Sequence, residues 1–184
     1  MIIRKAVKQD LPQLQVMYEA IIAHMYAQQI CIWDAVYPCI CFPEDIKQER
    51  MYVLQKDARI LAAFALCEHN KGEQHVDWHL SGQKALYLDR LGVHVDAMGK
   101  GVGRAAIREA MRCAKERQAD VLRLFAVDSN TPAIRLYEKN GFIQAKGIYH
   151  EVIDDTLTLH ELGFEKAITE KELPGSVSYT HLRA

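Results

Sequence analysis

The chain lacks any apolar run of the roughly 18 residues that a membrane span requires. Its N-terminus also lacks the basic region and small-residue cleavage pattern of a secretory signal. No membrane partner and a cytoplasmic location are the expectations. Charge of one sign is missing too: 23 Lys and Arg stand against 24 Asp and Glu, a net charge of −1. Without a basic stripe interleaved with aromatics, that balance gives no footprint for nucleic acid. The five cysteines (Cys31, Cys39, Cys41, Cys67, Cys113) include no C-x-x-C pair. Cys39 and Cys41 are too close and too isolated for a four-ligand zinc set, and the histidines follow no metal spacing. Reduced thiols and no metal are expected. Repeats and linkers are absent from a chain of 184 residues, 49% of them hydrophobic, so one domain with a real core is expected.

Periodicity supplies the elements. Met1 to Val7 alternates and is β-branched, as a strand does. Asp10 is expected to cap a helix whose buried stripe is Leu11, Leu14, Met17, Tyr18, Ile21, Ile22 and Met25. Pro43-Glu44-Asp45 opens a short second helix to about Arg50. Met51 to Gln55 and Ile60 to Cys67 pattern as a hairpin, and Glu68 to Lys84 as a long polar loop. Leu86 to Val95 is a central strand, Gly103 to Gln118 an amphipathic helix, and Val121 to Val127 a strand buried on both faces apart from Arg123. Thr131-Pro132 starts a further helix that Gly141 ends. Phe142 to Tyr149 and Thr156 to Phe164 close with a hairpin. The order β-α-α-β-β-β-α-β-α-β-β predicts an α/β (α+β) fold, a mixed sheet with one right-handed βαβ unit at its centre. From about Pro174 the sequence resembles translated adapter read-through, so the last ten or so residues are set aside as non-native.

The segment Asp96 to Arg104, Asp-Ala-Met-Gly-Lys-Gly-Val-Gly-Arg, carries the clearest chemistry. Gly99, Gly101 and Gly103 free the backbone of Cβ atoms where the chain turns into a helix. Unpaired N–H groups at the positive end of the helix dipole make an anion site, and Lys100 and Arg104 add full charges beside it. The expected ligand is a nucleotide or a nucleotide-tailed cofactor. Gly101-x-Gly103-x-x-Ala106 fits the dinucleotide fingerprint, with Asp128 as the ribose-binding acid. Two features count against that reading. A polar stretch, His94 to Lys100, separates strand from glycines, and no further βαβ units follow Asp128. A nucleoside-triphosphate loop fails because Gly101 follows Lys100 where Ser or Thr is needed.

The whole pattern, with Met98-x-x-Gly101-x-Gly103 before the helix and Asn130-x-x-Ala133-x-x-Leu136-Tyr137-x-x-x-Gly141-Phe142 after the buried strand, resembles the GNAT superfamily of N-acetyltransferases. Met98 departs from the family's Gln or Arg, while both glycines hold. The resemblance covers residues 1–166, leaving 167–184 as a tail. It implies a mostly antiparallel twisted sheet flanked by helices, with a central βαβ unit for acetyl-CoA as co-substrate and no metal. The partners implied are acetyl-CoA and the primary amine of an acceptor expected to be a small molecule, with a homodimer left open. In the family, the backbone of Leu91, Gly92 and Val93 would pair with the pantetheine arm. The amides of Gly99, Lys100, Gly101, Val102, Gly103 and Arg104 would hold the pyrophosphate, and Asn130 would bond the arm or simply cap its helix.

Tyr137 would return a proton to the departing thiolate; the alternative is packing on the face Ala133, Ile134, Leu136. Where some relatives carry a glutamate, Phe125 stands. Asp89 is the remaining candidate for base or amine anchor, with a water chain or a structural ion pair as alternatives. Strand alternation puts Asp89 on the face of Tyr87, Leu91 and Val93 and sends Arg90 to the other, a poor partner. Trp33, Asp34, Tyr37 and Trp78 would shape the acceptor site, where aromatics plus an acid suit a cation. A non-catalytic acyl-CoA-binding sensor of the same fold is the alternative function.

Overall fold

A computed structural model describes residues 1–169; the adapter-like stretch from Pro174 lies outside the described residues. The strands are β1 (Ile2–Lys5), β2 (Met51–Lys56), β3 (Arg59–Cys67), β4 (Ala85–Val93), β5 (Val121–Val127), β6 (Ile143–Gln144), β7 (Tyr149–Val152) and β8 (Thr158–Ala167). Four helices join them: α1 (Leu11–Ala27), α2 (Phe42–Lys47), α3 (Val102–Glu116) and α4 (Thr131–Lys139). One sheet takes the order β1-β2-β3-β4-β5-β8-β6, with β7 also paired to β8. Among the described residues every strand pairing is antiparallel except that of β4 with β5. The α/β sheet with its central βαβ unit is therefore as the sequence order implied. The closing hairpin stands as β7 and β8 around Asp154-Asp155, but its first arm is corrected: Phe142 to Tyr149 yields only the short β6 and the start of β7, and β8 also pairs with β5 and β6.

Helices cover both faces. On one, Ala106, Ala110 and Ala114 of α3 are fully buried against Phe64, Leu66, Leu122 and Leu124, and α4 adds Tyr137 to the same cluster. Alanines at that spacing bring the helix axis close to the sheet, so adding methylenes there would overpack the core. On the other face α1 buries Leu14, Met17, Tyr18 and Ile21, joined by Phe42 of α2. Asp10 does not cap α1 with its side chain. Its carboxylate instead takes Arg4 in a bidentate pair at 2.7 and 2.8 Å and the Val7 N–H at 2.8 Å. It ties β1 to the helix start and holds its own pKa below the usual carboxylate range through the Arg4 hydrogen bonds.

Arg123, read as the exception on a buried strand, is itself buried. Glu165 on β8, 42 residues away in sequence but directly opposite in the sheet, is its partner at 3.4 Å. Glu165 also accepts the N–H groups of His79 and Leu80, while Arg123 donates to the Leu80 carbonyl and lies 4.4 Å from the Trp78 ring centroid. This buried pair fastens the end of the 68–84 loop to the sheet. Removing one partner of such a pair costs about 3–5 kcal/mol, since the other is left charged and unsolvated.

Candidate active site

The parallel pairing of β4 and β5 is short. It covers only Ala85 to Tyr87 with Val121 to Arg123, after which the two strands run on to Val93 and Val127 without bonding each other. From Leu88 onward the β5-side edge of β4 is thus an open row of backbone donors and acceptors. The His94 N–H is spent on the Leu61 carbonyl of the β3 side at 2.8 Å. Backbone alternation then turns the Val93 N–H toward the gap.

A bulge sets the geometry of that edge. Ala63 faces Gly92 and Ala65 faces Asp89, so β4 spends one residue more than β3 over this span. Arg90 absorbs it with φ of 55°. Its carbonyl accepts a 2.6 Å hydrogen bond from the buried Tyr18 hydroxyl, which also lies 3.2 Å from the Ala63 carbonyl. The close seat of Tyr18 is possible because position 92 is glycine: a Cβ there would stand 2.7 Å from the Tyr18 ring.

The bulge overturns the expected alternation. Tyr87 belongs to the cluster of Ala65, Cys67, Trp78 and Phe125, whereas Leu91 and Val93 pack with the α3 side of the core. Asp89 stays on the Tyr87 face, where the Asn70 side-chain amide donates to it at 3.2 Å. Nor is Arg90 a poor partner. Its guanidinium reaches back to 3.7 Å from Asp89 and makes its main bonds, at 2.8 and 3.1 Å, to the fully buried Asp45 of α2. Burial pushes the Asp89 carboxyl above its ordinary value, partly offset by Arg90, Cys67 and Asn70.

At the far end of β4 the chain passes Val95 to Ala97 and enters the glycine turn. Gly99 and Gly101 have φ of 71° and 79°, and apart from the adjoining residues no described atom lies within 4 Å of where their Cβ atoms would be. The first helical bond runs from the Ala105 N–H to the Gly101 carbonyl, so the amides of Val102, Gly103 and Arg104 precede the ladder. Open space over free amides at a helix start suits a phosphate. Gly103 has another role: its Cβ would approach Leu136 of α4 to 3.1 Å, so glycine lets the two helix starts converge.

Tyr137 is 8% exposed and packs on Phe142 and Phe164 at centroid distances of 5.9 and 6.2 Å. Its hydroxyl makes no hydrogen bond among the described residues, yet no fully buried side-chain polar atom lacks a partner. The hydroxyl therefore opens on accessible space. Burial, with a smaller contribution from the negative charge of Asp89, pushes its pKa up, so it stays protonated at neutral pH. Asn130 caps α4, its Oδ1 accepting the Ala133 N–H at 3.3 Å.

The acceptor candidates separate. Tyr37 is 42% exposed as a residue, yet the packing around its hydroxyl pushes the pKa up, and the Arg90 and Asp89 side chains lie within electrostatic reach of it. Asp34 accepts the Val36 and Tyr37 N–H groups at 2.7 Å and so shapes the Tyr37 turn. Trp33 packs against Tyr18, and Trp78 donates to the Glu73 carbonyl while its ring lies under the Arg123 guanidinium and meets Phe125 edge to face. A residue not foreseen is Glu161 of β8, on the sheet face of Gly163 and Glu165, whose side chains or neighbours meet Trp78 and Arg123. Its carboxylate has no hydrogen-bond partner among the described residues, while its backbone pairs with β5 and β7. Burial, with the charges of Glu151 and Asp89, raises it to about 7. Its signal was present in the sequence: Glu161 and Glu165 sit at period two on one strand. Among the described residues no group of three or more His, Cys, Asp or Glu could hold a metal.

Comparison with known proteins decides the family. The model of the acetyltransferase (GNAT) family matches residues 19–142. The chain belongs to the GNAT family. A putative acetyltransferase from Staphylococcus aureus Mu50 superposes with a TM-score of 0.68 at 21% identity, over 92% of this chain and 100% of its own. The ribosomal-protein-S18-alanine N-acetyltransferase of Escherichia coli gives 0.64 at 19% identity, over 97% and 98%. The yncA protein of Salmonella typhimurium, a putative acetyltransferase solved with acetyl-CoA, gives 0.62 at 17% identity, over 95% and 98%. None of the curated proteins compared matches in sequence. The strand gap and glycine turn of this GNAT chain thus stand on the fold that carries acetyltransferases.

Proposed function

We propose that the protein transfers an acetyl group from acetyl-CoA directly to a primary amine. The observation that carries this reading is the β4 edge, Leu91 to Val93, left unpaired on its β5 side and followed, after the Val95–Ala97 turn, by the helix-start amides of Val102, Gly103 and Arg104; the Lys100 N–H is spent on the Ala97 carbonyl at 3.4 Å. An extended arm ending in a pyrophosphate fits that path, and a structural neighbour solved with acetyl-CoA supports it.

When bound, acetyl-CoA supplies an activated thioester. The chain does the rest. Leu91, Gly92 and Val93 hold the arm as an added strand, and the Val93 N–H faces the oxygen on which charge develops during attack. Lys100 and Arg104 add positive charge beside the phosphate-binding amides. Asp89 draws the incoming amine to the gap, and Glu161, unpartnered and raised to about 7, takes the proton that the amine must lose. Tyr137, held protonated, gives a proton to the leaving sulfur. The phenol is the weaker acid of the two, so this transfer is uphill and depends on placement.

The test is release of CoA thiol across a panel of amines. Turnover that vanishes on heat-denaturing the protein supports catalysis. Acetyl-CoA binding without thiol release on any amine would instead identify an acyl-CoA sensor.

A further inference from the structure

Beside Asp89 lies a half-open polar cavity of about 370 Å³, whose lining includes Gln48, Arg50, Cys67, Arg90 and Arg117. That volume is within the range of small-molecule sites. Behind it Asp45, with no solvent exposure, binds two guanidiniums at once: Arg50 through Nε at 2.7 Å, and Arg90 through Nε and Nη2 at 2.8 and 3.1 Å. One buried carboxylate holding two guanidiniums fixes both side chains from behind.

The three arginines of the lining differ in what remains free. Arg90 is committed, with Nη2 also 3.3 Å from the Cys67 sulfur and Nη1 3.7 Å from Asp89. Arg117 gives Nη1 to the Leu66 carbonyl at 2.7 Å and points Nη2 at the exposed Glu68, 3.5 Å away. Arg50 is held by Nε alone. Its Nη1 and Nη2 groups make no hydrogen bond among the described residues, and its side chain is 34% exposed where it meets the cavity. A planar fork of unspent N–H donors, anchored at its base, matches the two oxygens of a carboxylate.

The cavity is thus dipolar. Asp89, three residues before Gly92 on β4, supplies the negative end near the strand gap, and Arg50 the positive end. We infer that the acceptor is an amino acid, or a close analogue with a carboxylate beside its amine, oriented by Asp89 at the ammonium and Arg50 at the carboxylate. The inference rests on the acetyl-transfer reading. A plain amine leaves the Arg50 donors unused, and a second cationic end is repelled there. A peptide N-terminus offers a neutral amide in place of the carboxylate.

The experiment compares each free amino acid with its amide and its decarboxylated amine, such as phenylalanine, phenylalaninamide and phenethylamine, or lysine, lysinamide and cadaverine. Thiol release from acetyl-CoA is the readout, and acetyl-CoA affinity is measured by calorimetry on the same protein. At least one free amino acid is expected to exceed both of its partners by tenfold or more in kcat/KM. Arg50→Gln then brings that ratio near one, chiefly through KM, with acetyl-CoA affinity unchanged, and Arg50→Lys recovers part of it. Equal or better turnover of amides or amines overturns the inference, with or without a folded variant. So does failure to acetylate any amino acid by a protein that binds acetyl-CoA. Absence of acetyl-CoA binding defeats the underlying reading instead.

Discussion

Tyr18→Phe removes one oxygen and tests how the strand gap is held open. The ring of Tyr18 is fully buried between Trp33 and Phe42, at centroid distances of 5.6 and 4.7 Å, and phenylalanine keeps those contacts. What goes is the donor to the Arg90 carbonyl at 2.6 Å, and the weaker approach to Ala63 at 3.2 Å. Burial raises the Tyr18 pKa, so the hydroxyl is a donor at every pH at which the protein folds. Leaving a buried carbonyl unpaired costs about 1–3 kcal/mol. Some relaxation toward water in the gap places the expected loss at about 1–2 kcal/mol. For a domain of this size that is a fall in Tm of about 2–8 °C. Because Arg90 directly precedes Leu91, a loosened bulge also displaces the edge that pairs with the pantetheine arm. Acetyl-CoA affinity is expected to weaken roughly threefold to tenfold, which corresponds to about 0.7–1.4 kcal/mol. Thermal unfolding followed by circular dichroism and titration calorimetry read the two effects. A variant with unchanged Tm and unchanged affinity would show that the hydroxyl does not support the bulge.

Tyr137→Phe keeps the packing on Phe142 and Phe164 but loses the proton donor. It is expected to lower kcat by about 10²–10⁴-fold with acetyl-CoA affinity nearly unchanged, and full activity would leave the residue as core packing only. Glu161→Gln is expected to remove the rise of kcat/KM with pH through about 7. A pH profile that keeps that limb assigns the proton to another group. Asp10→Asn loses its charge-assisted pair with Arg4, a loss of about 1–2 kcal/mol near pH 7. The Asp10 pKa is depressed in the fold, so its contribution is complete above the unfolded carboxylate value and fades as pH falls through the folded one. Denaturant melts of the two proteins should therefore converge in acid; a gap that persists there would mean that the effect is not electrostatic.

Local signals explain what the sequence made legible. The Gly99–Arg104 turn, the alanine stripe of α3 and the Leu-Tyr-x-x-x-Gly-Phe block are each written in consecutive residues, and each lies where its pattern implied. The Arg90 bulge is different. It is decided by register with β3 and by a tyrosine 72 residues away, and nothing in Leu-Asp-Arg-Leu-Gly-Val announces one residue too many. Strict alternation therefore misplaced Leu91 and Val93 and hid the approach of Arg90 to Asp89. The Asp45–Arg90 and Arg123–Glu165 pairs escaped for the same reason, since partners 45 and 42 residues apart leave no spacing to count. Glu161 was readable in part: alternation gives its face, but not that Glu165 is matched with arginine while Glu161 goes unmatched.

The central claim is that the β4 edge and the glycine turn together form an acetyl-CoA site. Titration calorimetry of the protein with acetyl-CoA, with NADH titrated in parallel, tests it most directly. Saturable one-to-one binding of acetyl-CoA, weakened by Gly101→Val and absent for NADH, is the result predicted. Tight NADH binding with none for acetyl-CoA would contradict the account.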